Sequence, residues 1–303
     1  MLLALLMVPL RPDFLTPDNL RDILLNSSIT AVVAAGMTAL IVAAEIDISV
    51  SATLAVCAVS VALMTRAGIA IPLALLASVA IGAAIGAVNG WLTAGLRIPS
   101  IVATLATLGA IRGLLILASH GDTVAVPDAL LGLGEGRLLG LKIPFWGAVA
   151  SAVLMGLYLA RTRSGRQHYA VGSNPRSAEL SGIPVRWVTF RSFVVLGALT
   201  GFAAFLFDTQ YTPISPKAQP GFELEVITAV VVGGTDIFGG RGTVVGSVLA
   251  AVLLSTITTG LSYLRGYLHD RFGFDLASQV QPAIQGLLIL VAVLYDSAGR
   301  RTD

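Results

Sequence analysis

Charge is scarce in this chain. Asp, Glu, Lys and Arg make up 12% of its 303 residues, against 55% hydrophobic ones, and mean hydropathy is +0.86. Soluble domains carry ~25% charged residues, so a globule surrounded by water is excluded. Cys57 is the one cysteine; it lies in an apolar run, so no disulfide framework exists and the thiol reads as a small buried hydrophobe. His120, His168 and His269 are the three histidines, and they show no metal-ligand spacing. No G-x-x-x-x-G-K-[ST] stretch occurs, so the usual loop for cradling ATP phosphates is missing. No nucleophile is paired with a base, which argues against an enzyme, and a net charge of +2 spread over loops leaves no nucleic-acid footprint. The expectation is a chain with no catalytic residue, no metal and no cofactor of its own.

What is present is a series of apolar runs, at about 28–46, 50–65, 71–96, 99–119, 143–160, 188–207, 224–234, 244–263 and 279–296. A span takes ~20 apolar residues, fewer where a helix is broken. These runs predict eight or nine membrane segments in one all-α, polytopic helical bundle over 1–303, without a soluble domain. Residues 1–10 are apolar but too short to cross and lack the basic start of a signal peptide. They read as the tail of a first span beginning further upstream. Phe14–Leu25 reads as an amphipathic segment at the membrane interface, with Thr16 as N-cap and Pro17 at the first helical position. Residues 1–27 are thus expected to be a partial span plus an interfacial segment.

Between Arg161 and Arg191 six arginines (Arg161, Arg163, Arg166, Arg176, Arg186 and Arg191) face one acid, Glu179. Basic residues accumulate in short cytoplasmic loops, which places 161–191 inside. Alternation then puts 46–50, the turn at Arg97 and 235–243 inside, and 120–142, 208–222 and 264–278 outside. Within the island, Asn174 suits an N-cap and Pro175 the first helical position. Gly182 suits the left-handed position after the last turn, and Pro184 blocks continuation. A helix of about two turns is predicted there. Alone it is unstable in water, so its own bundle or a partner must hold it.

Three stretches carry a family resemblance. Residues 169–183, YAVGSNPRSAELSGI, resemble the cytoplasmic coupling loop of ribose-type sugar permeases of ATP-binding-cassette importers. Residues 36–51, GMTALIVAAEIDISVS, resemble the family's G-M-T-x-V-I-x-x-x-G-I-D-L-S-V-G. Residues 221–242, GFELEVITAVVVGGTDIFGGRG, resemble its G-x-E-L-x-A-I-A-A-V-V-x-G-G-T-S-x-x-G-G-x-G. The chain departs from the pattern at Glu45 and Ser51, where the family has Gly, and at Asp236, where it has Ser. The resemblance implies an inner-membrane permease of about 9–10 spans for a monosaccharide such as ribose, xylose or rhamnose. It implies dimerisation with a copy or a related permease, a periplasmic sugar-binding protein outside, and ATPase subunits inside that bind ATP and magnesium. Gly172, Asn174, Pro175, Ala178, Glu179 and Gly182 would then form the surface that couples to the ATPase.

Ionisable residues at membrane depth cost ~3 kcal/mol on insertion scales and tend to face a cavity or a partner. Glu45 and Asp47 are candidates for an inner gate; alternatively Asp47 or Ser49 caps the next helix while Glu45 reaches the interface. Asn89 is a candidate for the pathway wall or for a bond to a neighbouring helix. Arg112 either snorkels outward, pairs with an acid of a second subunit or lines the route. Glu223 either borders the outer mouth or caps a helix. Thr104 and Thr107 read as helix-packing hydroxyls. The Gly233–Gly242 stretch reads as a tight cytoplasmic turn or a half-helix junction. A second function class stays open: an autonomous ion-coupled carrier or channel using Glu45, Asp47 or Arg112.

Overall fold

The computed structural model describes residues 12–272, together with residues 283, 286 and 287. The runs at 1–10 and 279–296 therefore lie outside the described residues, apart from those three positions. Helix α1 is Pro17–Val42, and it starts as predicted: Thr16 is extended, its Oγ1 accepts the Asn19 N–H at 3.4 Å, and Pro17 opens the first turn. The expected break between interfacial segment and span is not there. Nothing between Leu20 and Asn26 interrupts a helix, and a 3-10 turn at Pro12–Leu15 folds back instead. Asn19 Nδ2 donates to Phe14 O at 2.6 Å, and Phe14 and Ile23 are buried beside Tyr263 and Leu264. The far end stops at Val42, where Ala44 takes a φ of +64°.

The remaining helices are α2 (Val50–Arg66), α3 (Ile71–Gly90, continued by a π turn Trp91–Gly95), α4 (Ser100–Ala118), α5 (Asp128–Glu135), α6 (Ile143–Arg161), α7 (Arg163–Ser173), α8 (Pro175–Leu180), α9 (Val185–Asp208), α10 (Phe222–Val232) and α11 (Val244–Phe272). A two-stranded antiparallel hairpin, β1 (Arg137–Leu138) with β2 (Leu141–Lys142), sits between α5 and α6. By length and composition six described helices can cross a membrane: α1, α3 with its π turn, α4, α6, α9 and α11. Helix α2 is a shorter apolar helix, and α10, on the run expected as a membrane segment at 224–234, has only 11 residues and ends at the glycine turn. Helix α11 runs through 264–272, which the sequence assigned to an outer loop; no proline or turn cluster stops it there.

Helix α1 is the axis of the bundle, with α6, α9, α10 and α11 packed around it. Its most apolar 18-residue window is 89% buried, against 11% for α4 at the periphery. The closest seam joins α3 to α9. Ser78, Gly82, Gly86 and Gly90 recur at every fourth residue, so they form one stripe. A Cβ on Gly82 would overlap the Gly197 carbonyl, and one on Gly86 the Phe193 carbonyl. Ser78 Oγ donates to Gly201 O at 2.7 Å across the same seam. Without water to drive apolar groups together in lipid, such close backbone packing is what binds helices.

Chain connections gather at two ends as the alternation predicts. At one, Gly240 N donates to Val42 O at 2.9 Å and Tyr169 Oη to Gly242 O at 3.0 Å. At the other, Val124 and Ile214 form a β-bridge. The arginine island lies at the first, hereafter the inner end. The seam gives a test. Gly86→Val should destabilise the protein by about 1–3 kcal/mol or more through overpacking, read as a lower melting temperature in detergent. Gly156→Val, where a Cβ meets open space, should melt like the wild type. Equal melting of the two variants would contradict the seam.

Candidate functional site: the inner elbow and its anchor

The arginine island is two helices set as an elbow. The predicted one is α8: Asn174 Oδ1 accepts the Ser177 N–H at 2.9 Å, Pro175 opens the helix and Gly182 ends it with φ +77°. Its outer surface carries Arg176 and Glu179, an exposed pair 3.6 Å apart of little energetic weight, and Leu180, which is 78% exposed. Its underside is Ala178, 4% exposed and packed with Val171 and Val188. Ala178 therefore holds α8 onto the protein rather than facing outward.

Helix α7 was not expected as a helix. Thr162 caps it, accepting the Gly165 N–H at 2.8 Å, and Gly165, His168, Val171 and Gly172 form its buried face. Two of these are glycines because backbone lies directly against them. A Cβ at Gly165 would overlap the Tyr158 carbonyl, and one at Gly172 the Val42 carbonyl at the end of α1. Gly239 and Gly240, both with φ near +80 to +90°, complete the contact against Ala44 and Ser173.

His168 anchors this face. It is fully buried and reaches three spans. Nδ1 lies 3.2 Å from Ala39 O of α1 and 3.0 Å from Ser192 Oγ of α9, and Nε2 lies 3.1 Å from Tyr158 Oη of α6. Ser192 already donates to Val188 O at 2.7 Å, so its oxygen can only accept from the ring. The consistent assignment has Nδ1–H donating to Ala39 O and Ser192 Oγ, and Tyr158 donating to Nε2. That makes the imidazole neutral. Burial and the nearby Arg191 guanidinium push its pKa down to about 4. Arg191 in turn donates to Ser164 O at 2.6 Å and Gln167 Oε1 at 2.9 Å, tying α9 to the first turn of α7.

Next to the elbow lies the turn at 43–49. Asp47 Oδ1 accepts both the N–H (2.7 Å) and the hydroxyl (2.6 Å) of Ser49. Asn89 Nδ2 donates to Asp47 Oδ2 at 3.1 Å and to Ser49 Oγ at 2.8 Å. Ser49 occupies the N-cap position of α2 without a side-chain cap bond, so Asp47 organises the turn rather than the helix end. Ile46 N donates to Ser100 Oγ and Ile48 N to Thr104 Oγ1, stapling the turn to α4. Thr107 bonds back to Ala103 O, a packing hydroxyl as read. Glu45 is half-buried; burial raises its pKa, the Ser100 hydroxyl partly offsets that rise, and it borders an inner recess of about 320 Å³ with Arg97 and Arg186.

Arg112 and Glu223 belong to the outer end. Arg112 Nη1 donates to Ala218 O at 3.0 Å and Pro216 O at 3.5 Å, fastening α4 to the loop after α9. Glu223 sits in the first turn of α10, where acids complement the helix dipole; its buried Oε2 has no partner among the described residues. The predicted residues thus fall into two groups, Gly172–Gly182 with Glu45, Asp47 and Asn89 inside, and Arg112 with Glu223 outside.

Comparison with known proteins adds identity. A family model described as branched-chain amino acid transport system / permease component matches residues 19–293. The L-arabinose ABC transporter permease protein AraH of Azospirillum brasilense is 33% identical over 290 residues, 95% of this chain and 83% of the relative. The ribose import permease protein RbsC of Escherichia coli K12 is 33% identical, over 95% of this chain and 88% of its own length. The autoinducer 2 import system permease protein LsrC of Klebsiella pneumoniae is 36% identical, over 99% and 84%. The chain belongs to the sugar ABC importer permease family.

The permease is accordingly a multi-pass inner-membrane protein and a transport subunit. No solved structure matches it. Among the described residues no group of His, Cys, Asp and Glu is arranged to hold a metal. Sequence reasoning found α8 and the turn at Asp47 but missed His168, because a lone histidine in a basic stretch carries no spacing signal. The signal that existed was the period of Gly165, His168, Val171 and Gly172, one face of a helix. The anchor sets a pH dependence. Free histidine titrates near 6.5 and buried His168 near 4, so between those values the unfolded chain binds a proton the folded permease refuses. Stability should fall as pH drops from about 6.5 to about 4. Melting temperatures of wild type should fall more steeply over that window than those of His168→Gln; parallel profiles would contradict the assignment.

Proposed function

We propose that the permease moves a monosaccharide from an extracytoplasmic binding protein into the cytoplasm, driven by separate ATPase subunits that bind ATP and magnesium and grip the inner elbow. It works as a dimer with a second copy or a related permease. The observation that carries this reading is the build of α7 and α8. The underside is bolted to α1, α6 and α9 through Gly172 and His168, while Arg176, Glu179 and Leu180 stand exposed on top. A short helix so fixed moves the spans as a rigid body when a partner groove pushes it. The relatives' names, for arabinose, ribose and autoinducer 2, support a sugar as cargo.

An ion-coupled carrier is disfavoured by the same bonds. Asp47 is occupied by Ser49 and Asn89, and Arg112 by backbone carbonyls, so of the three candidate relay residues only Glu45, at the rim of the inner recess, stays open to such a role.

Proteoliposomes decide between them. The permease alone should take up no labelled L-arabinose or D-ribose, and uptake should require ATP, the ATPase and the binding protein; uptake by the permease alone would overturn the proposal. Asn174→Ala, which removes a cap worth about 1 kcal/mol, should lower sugar moved per ATP while the bundle melts nearly as before. An unchanged ratio would remove the elbow from the mechanism.

A further inference from the structure

On the outer half, away from the elbow, α1, α9, α10 and α11 leave a cavity of about 250 Å³ inside one subunit. One wall is aromatic. Phe207 and Tyr211 stack with ring centroids 4.6 Å apart, and Phe222 stands with them. The other wall is polar, formed by Asn26, Thr30, Gln219, Glu225, Thr258 and Thr259.

The polar groups are notable for what they do not bond. Thr256 returns its hydroxyl to Val252 O at 2.8 Å, the habit of threonines in apolar helices. Two residues on, the half-buried hydroxyls of Thr258 and Thr259 have no hydrogen-bond partner among the described residues, nor does the half-buried Gln219 amide, while Asn26 and Tyr211 stand exposed at the rim. Glu225 accepts the Thr30 hydroxyl on one oxygen at 2.8 Å and leaves the other unbonded. Unspent donors and acceptors thus converge on one space faced by aromatic rings. Pockets are built this way: an apolar body with a few polar groups that fix orientation.

We infer that this cavity binds a neutral polyhydroxylated ring, a single small sugar, within each subunit. The inference rests on the proposal that the permease transports a sugar, and it names the residues that would hold one. Sugar hydroxyls both donate and accept, matching amides and hydroxyls that do the same, while the Glu225 oxygen not taken by Thr30 accepts one more hydroxyl. The C–H face of the ring lies against Tyr211 and Phe222. An anion would meet the Glu225 carboxylate, and a purely apolar ligand would bury the polar wall unpaired. The volume is below the ~300–1,000 Å³ of pockets for drug-sized ligands, which suits one ring.

The test uses the permease–ATPase complex in nanodiscs, without binding protein, and saturation-transfer NMR with L-arabinose and D-ribose as probes. Uptake is measured on the same complex in proteoliposomes with binding protein added. Glu225→Gln and Thr258→Val should lose the NMR signal and reduce uptake by about tenfold, the weight of a hydrogen bond to a charged group. ATP hydrolysis stimulated by the binding protein should persist, and Thr256→Val should behave as wild type. Thr258→Val is nearly isosteric and keeps the fold, so its result stands even where Glu225→Gln fails to fold. Import by the wild-type complex with no NMR signal, or with both variants unaffected, overturns the inference alone, as does a sodium ion replacing sugar as the species bound. Failure of the wild-type complex to import either sugar overturns the functional proposal and the inference with it.

Discussion

A single close approach governs the inner face: the backbone of α7 at Gly172 lies against the last carbonyl of α1, with the Gly240 N–H bonded to that same Val42 oxygen. A side chain of any size at Gly172 would wedge these segments apart. Because they touch, three stretches distant in sequence (the end of α1, the elbow and the turn after α10) meet as one junction. His168 falls within reach of three spans only when α7 lies this close. A force on α8 then has a defined path: through Ala178 and Val171 into α7, and from α7 into α1, α6 and α9. Since α1 is the axis of the bundle, that path ends at its centre.

Polar chemistry inside the bundle divides by whether it is already spent. Asp47, Ser49 and Asn89 satisfy one another and are held by Ser100 and Thr104, which makes them a rigid corner. Arg112 ties a peripheral helix to an outer loop. At the outer cavity Thr30 and Ser255 are bonded, while Thr258, Thr259, Gln219 and one Glu225 oxygen are left open. Groups bonded to one another hold the fold, and those left open can meet a ligand.

Much of this was legible in the sequence, for physical reasons. Apolar runs gave the spans because lipid demands them. Asn174, Pro175, Gly182 and Pro184 gave α8 because caps and stops act locally. What failed to show was set by distant contacts. Helix α7, with its arginines and glycines, looks like a loop until the backbone packed against Gly165 and Gly172 is known. The folding-back of Phe14 onto the first helix is covered by Tyr263 and Leu264, some 240 residues away in the chain. Nor could a stretch as ordinary as Thr258–Thr259 reveal that both hydroxyls lack partners. Ala178 was read as part of a docking surface, and only its packing against Val188 shows it to be the underside.

The central claim is that the elbow and the inner end of α1 move as one body. Spin labels on cysteines at Ala44 and Arg176, both exposed, in a Cys57→Ala background measure it directly in the assembled transporter. The distance between them should stay the same with and without trapped ATP, even as labels on the two subunits move relative to one another. A change approaching one helical turn, ~5 Å, between Ala44 and Arg176 would show that the elbow slides over the spans and would contradict the account.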